Sequence, residues 1–181
     1  RIDGKAPVVT ILLAGFAVSS LLIALMTALI ALNTRLQLNL RQLLSFLLGG
    51  FGTTGWDELI IVGPIILVGI LSTSLFAYPL NAFSLGEEGA AFLGVDVERV
   101  KLMIIALGAL LTGAAVSLSG LVGFVGLVVP HAVRLVLGPG HRSLLPGSGL
   151  VGGILLAAAD LIARTVIAPA EMPVGVVTAL V

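Results

Sequence analysis

Residues 120–146 read GLVGFVGLVVPHAVRLVLGPGHRSLLP. Glycine recurs at 120, 123 and 126, and the apolar run then closes on Pro130-His131, Arg134 and His141-Arg142. A soluble core strand has no use for cationic ends, and an ordinary membrane helix does not need so much glycine. The division of this stretch sets the helix count, so the fold turns on it.

The surrounding composition identifies the solvent. Of 181 residues, 59% are hydrophobic and 10% charged, with mean hydropathy +1.23. Soluble domains carry roughly 25% charged residues, so this chain lacks the polar surface to cover a globule. It reads as an integral membrane protein. Zero net charge and no basic stripe exclude a nucleic-acid partner. With no cysteine, disulfides and thiolate metal sites are excluded. The chain opens on Arg1 without a methionine and ends inside the apolar GVVTALV, so it is expected to be a fragment of a longer polypeptide.

A bilayer core takes about 20 apolar residues per helix. Residues 8–32 hold no charge and form the first expected span. The second covers 59–83, interrupted by Pro64 and Pro79, which membrane helices tolerate when neighbours re-satisfy the freed carbonyl. The block from Leu102 to Gly138 is too long for one helix, and its small-residue centre, Ser117 to Gly126, is the natural turn. It divides into spans at 101–119 and 124–138. A fifth span covers 147–167, and a sixth, at 175–181, is cut short. The expected fold is therefore all-α, a polytopic bundle in one transmembrane domain.

Positive charge supports the division. With alternating spans, Arg1, Lys5, Arg99, Lys101, Arg134 and Arg142 share one side, while Arg35, Arg41 and Arg164 share the other. The richer side is cytoplasmic by the positive-inside rule. A single helix over 102–138 would move Arg134 and Arg142 across and reverse the bias. On the outer side, 39–48 reads as a surface helix ended by Gly49-Gly50, and Trp56 sits where an interfacial aromatic belongs.

The most informative polar stretch is SLGEEGAAFLGVDVERVK, Ser84 to Lys101, on the cytoplasmic side. Ser84 and Glu87 match an S-x-x-E capping box. Gly94 is placed to end that short helix in a left-handed turn, and Asp96 to cap the next. Gly89, Ala90 and Ala91 offer a close-approach surface beside Phe92 and Leu93. The segment is either a connector lying on the membrane or a docking element for a cytoplasmic partner.

The stretches SLGEEGAAFLGVDVERVK, GLVGFVGLVVPHAVRLVLG, HRSLLP, AADLIAR and EMPVGVVTA occur in an order and spacing that resembles FecCD-type permeases. These are subunits of bacterial ABC importers for iron-siderophore complexes, haem and cobalamin. LLAGFAVSSLL and LRQLLSFLLGGF near the start look like the same family. The resemblance covers most of residues 11–181 and implies the fifth to tenth helices of a ten-helix permease of the inner membrane. It implies a homo- or heterodimer, served by a separate cytoplasmic ATPase and a periplasmic or lipid-anchored binding protein. Where relatives often carry an acidic residue before the His-Arg pair, this chain has Pro139-Gly140.

No G-x-x-x-x-G-K-[ST] phosphate loop is present, so ATP hydrolysis is expected on the separate subunit. By the resemblance, Gly86, Glu87, Gly89, Ala90, Leu93 and Gly94 match the coupling motif, although Glu87 competes with its capping role. Arg164 lies four residues after Asp160, where the two can pair on one helix face. Either they neutralise each other, or Arg164 reaches a carboxylate of the binding protein, with Arg41 a second candidate. Gly15 and Ser19 form a small-xxx-small face, which packs helices or, in relatives, lines the path at the dimer interface. Gly120, Gly123 and Gly126 are expected to let the turn and short helix press on their neighbours. His131 and His141 lack metal-ligand spacing, and no cofactor is expected. An intramembrane enzyme using Asp160, Glu171 or His131 would need these groups at one depth, which the topology denies. A passive channel would need charge rings or carbonyl filters, which are not evident. The expected cargo is an iron chelate, with cobalamin as the alternative.

Overall fold

A computed structural model describes residues 8–32, 46–52, 54–166 and 172–179. The chain divides into two units, residues 1–43 and 44–181. Within the first lies α1, Val8–Leu32. Its 25 residues rise about 37 Å at 1.5 Å each, enough for a hydrocarbon core of about 30 Å. Its hydroxyls are satisfied internally: Ser20 Oγ donates to the Phe16 carbonyl at 2.9 Å and Thr27 Oγ1 to that of Ile23 at 2.8 Å. A helix whose polar groups close on themselves can face lipid.

The second unit opens with α2, Trp56–Thr73. Asp57 and Glu58 occupy the positive first turn, the Glu58 carboxylate takes the Gly55 N–H, and Trp56 is exposed. The helix runs through Pro64 to Thr73, and with the turn and helix that follow it forms one apolar span, Trp56–Phe83, that covers the expected 59–83. Pro79 lacks an N–H for the Leu75 carbonyl and its ring crowds that group. The backbone therefore tightens into a 3₁₀ turn at Ser74–Phe76 and restarts as α3, Ala77–Phe83. A short α4, Gly86–Phe92, precedes α5, Val97–Ser119. Then come α6, Val125–Leu137, α7, His141–Thr165, and α8, Val174–Ala179. The division of the long apolar block thus falls where the sequence placed it. The start of the next span moves: α7 begins at His141 rather than 147 and runs through Pro146.

Two helix pairs organise this unit. In the first, α2 packs on α5, and buried Gly69 faces Leu111 so closely that no Cβ would fit. In the second, α6 packs on α7 through Val129, Val133 and Leu144. Gly147 lies against Val133 and Leu137, which brings the two backbones together. Without a hydrophobic driving force between helices in lipid, such close contact does the packing. At 13 residues, α6 spans about 20 Å and is too short to cross alone.

One end of this unit is knitted by backbone. Gly50 N–H donates to the Ser119 carbonyl at 2.8 Å, Leu121 N–H to that of Phe46 at 3.1 Å, and Val174 N–H to that of Gly49 at 3.0 Å. At Gly120 (φ 65°, ψ −161°) a Cβ would strike the Phe46 carbonyl oxygen, and at Gly175 that of Leu48. A Cβ added at Gly123 or Gly126 would meet nothing within 4 Å, so of the three opening glycines Gly120 alone makes the expected contact here. Residues 39–45 of the expected surface helix lie outside the described residues; 46–48 are helical.

Large apolar side chains remain exposed along every long helix, among them Leu127, Leu135, Leu150 and Ile154. Four helices are long and apolar enough to cross a bilayer, and no strand occurs among the described residues. The protein is an all-α membrane bundle.

Candidate functional site

Residues 84–100 connect α3 to α5. Helix α4 ends in a Schellman motif: Gly94 N–H donates to the Ala91 carbonyl at 3.0 Å and Val95 N–H to that of Ala90 at 3.1 Å. Gly94 stands at φ 80°, the left-handed region this motif needs. The apolar contact that accompanies the motif is also present, with Ala90 and Val95 buried together against Ala82. Asp96 then accepts the Arg99 N–H at 3.2 Å and pairs with its guanidinium at 2.9 Å, starting α5. The short helix, glycine corner and second helix stand as expected.

The expected capping box does not form. Helix α4 starts at Gly86, Leu85 occupies the cap position without a side-chain bond, and Ser84 Oγ turns back to the Asn81 carbonyl at 2.6 Å. Ser84 closes α3 rather than opening α4, because the chain bends at Gly86 (φ 88°) two residues later. Glu87 instead meets Lys101 Nζ at 2.7 Å, fastening α4 to α5. Fourteen residues separate this pair in sequence, so no helical spacing rule could have found it.

The fold assigns different tasks along α4. Ala90 is fully buried, so its contribution is to seat the helix rather than to meet a partner. Gly89 lies against its own Leu85. Phe92, by contrast, is 91% exposed and Leu93 49%, an apolar tip held forward by a rigid corner. Tyr78 Oη reaches the Leu93 carbonyl at 3.4 Å, tying that corner to α3.

At the other end, Arg164 Nε pairs with Asp160 Oδ2 at 2.8 Å, as the spacing predicted. The arginine side chain is 48% exposed, while Asp160 is only 24%. The Asp160 carboxylate thus orients an arginine side chain that is about half exposed. Beneath it, Ala159 and Ala163 pack on Val174 and Val177, and Met172 N–H donates to the Ala163 carbonyl at 3.1 Å. Arg41 and Glu171 lie outside the described residues. Gly15 and Ser19 sit on exposed turns of α1 in the separate unit.

Among the described residues, the groups considered for catalysis lie far apart. Val129 of α6 lies level with Gly152 of α7, which puts His131 about 15 Å along the helices from Asp160. Among the described residues no cluster of His, Asp or Glu could hold a metal ion.

The model of the FecCD transport family matches residues 1–181, and the chain belongs to that family. It is 44% identical over 177 residues to the hemin transport system permease protein HmuU of Yersinia pestis, covering 98% of this chain and 52% of that one. To the cobalamin import system permease protein BtuC of Halobacterium salinarum it is 43% identical over 179 residues, covering 99% and 47%. A solved structure described as a metal-chelate type ABC transporter, in an inward-facing conformation, superposes with TM-score 0.85 at 32% identity. That match covers 96% of this chain and 56% of the other. The chain spans about half the length of the curated relatives it matches. Like them it is a multi-pass protein of the inner membrane, in a family of transporters rather than enzymes.

Proposed function

We propose that this chain is part of the permease subunit of a binding-protein-dependent ABC importer that moves an iron chelate, siderophore or haem, into the cell. A separate cytoplasmic ATPase hydrolyses ATP and presses on residues 84–100. The observation that carries this reading is the apolar tip: Phe92 and Leu93 stand exposed on a helix whose other face is locked by the Schellman turn and the Glu87–Lys101 pair. A rigid, exposed, aromatic-tipped corner suits transmission of force between subunits. Gly86 and Gly94 shape the corner, Ala90 and Gly89 seat it, and Glu87 fastens it.

Arg164, steadied by Asp160, is the residue we assign to the binding protein's carboxylates, with Arg41 as a second contact. Gly15 and Ser19 are assigned to the path at the interface with a second permease subunit, in a homo- or heterodimer. The relative named for cobalamin, at 43% identity, supports cobalamin as the alternative cargo.

Crosslinking tests the central point. In the full-length permease, Phe92→Cys should crosslink to the ATPase subunit from the cytoplasmic face. Labelling of that cysteine from outside intact cells, or no crosslink to the ATPase in the assembled transporter, overturns the reading. Retention measurements on the cognate binding protein, with a ferric siderophore, haem and cobalamin offered side by side, decide the cargo.

A further inference from the structure

A polar contact joins α3 to the start of the second helix pair. Helix α7 begins after Gly140, which occupies the cap position and has no side chain to offer. The first N–H groups of a helix need an acceptor, and asparagine is among the best providers. Here the provider comes from sixty residues away: Asn81 Oδ1, on α3, accepts the His141 N–H at 2.9 Å and faces His141 Nδ1 at 2.8 Å. With that oxygen accepting, the ring nitrogen facing it carries the proton. Asn81 therefore caps α7 from another helix and grips the ring of its first residue.

The location of this joint matters. Helix α3 packs on α4 and on α7, and α4 on α5. Toward α2, in contrast, α3 is set off by the 3₁₀ turn at Ser74–Phe76. A cavity of about 530 Å³ lies beside that turn, lined by Ser74, Tyr78, His141 and Arg142 among others. Helix α3 is thus tied to the α4–α5 corner near both its ends, by Tyr78 and by Ala82 in the cluster with Ala90 and Val95. Its tie to α7 is packing together with the Asn81–His141 contact.

We infer that Asn81 is a positioning residue for transport: through its joint with His141 it passes displacement of the α3–α4 corner to α7. This rests on the reading that residues 84–100 receive force from the ATPase. Because α7 packs on α6 through Leu144 and Leu155, a shift at His141 carries α6 with it and moves the second pair against the first.

The test uses the full-length permease assembled with its ATPase and binding protein in proteoliposomes. Asn81→Leu removes the acceptor at similar volume, and Asn81→Asp keeps it. Transport per ATP hydrolysed should fall about tenfold in Asn81→Leu, within the usual range for loss of one coupling contact, while ATP hydrolysis continues. Asn81→Asp should restore the ratio to within about threefold. His141→Leu, which retains the backbone N–H but loses the ring, should fall between them, and it decides the matter should Asn81→Leu fail to assemble. An unchanged ratio in Asn81→Leu or, in that event, in His141→Leu overturns the inference, as does failure of Asn81→Asp to rescue. The Phe92→Cys crosslink separates the two levels: its loss in the otherwise unaltered permease defeats the coupling reading itself, whereas an intact crosslink with an unchanged ratio defeats only the role of Asn81.

Discussion

Replacing Gly120 with alanine should damage this protein more than any comparable change in the glycine-rich turn. The backbone there sits at φ 65°, ψ −161°, a region almost reserved for glycine, and holding another residue in it costs about 1–3 kcal/mol. The new Cβ would also run into the Phe46 carbonyl oxygen, which already accepts the Leu121 N–H. Backbone must give way, at a further cost of about 1–3 kcal/mol for overpacking. Together these put the loss at roughly 2–6 kcal/mol. Gly126 provides the control, since it lies in the first turn of α6 with open space about it. Alanine at that position should be neutral or stabilise by up to about 1 kcal/mol. Thermal unfolding of the full-length permease in detergent reads the difference as a lower midpoint for Gly120→Ala. Equal midpoints for Gly120→Ala and the unaltered protein would refute the contact with Phe46; an equal fall for Gly126→Ala would refute the distinction between the two glycines.

Three further outcomes are expected. A double-mutant cycle of Glu87→Gln and Lys101→Met should return a coupling energy of about 0.2–1 kcal/mol, since both side chains are partly exposed; zero coupling by thermal or chemical unfolding would remove the pair as a fastener. Gly94→Ala meets no steric obstacle, so its effect should be the left-handed penalty of about 1–2 kcal/mol, seen as a lower crosslinking yield from Phe92→Cys; an undiminished yield would show that the corner tolerates another turn. Arg164→Glu sets a second carboxylate beside Asp160 and should weaken binding of the delivery protein at least severalfold, as measured by surface plasmon resonance on the reconstituted permease. Unchanged affinity there would remove Arg164 as a contact of the delivery protein.

Apolar blocks and their charge boundaries determine the solvent, the helical class and the split at Gly120, because each follows from local composition. Gly94 and Asp96 were legible for the same reason: a left-handed turn and a helix cap are settled within a few residues. The same local logic misassigned Ser84 and Glu87. Both had the right spacing for a capping box, yet the chain turned at Gly86 and Lys101 lay within reach on the next helix. Ala90, read as surface, went inside once α3, α4 and α5 met around it. Asn81 gave one signal only, a lone amide after Pro79 in an apolar run, and its partner was sixty residues away. Arg164 and Asp160 were found because four residues make one helical turn. Contacts within a turn are written in the spacing of the residues. Contacts between helices depend on how rods pack in three dimensions, and only the tertiary structure decides which of the available partners a side chain meets.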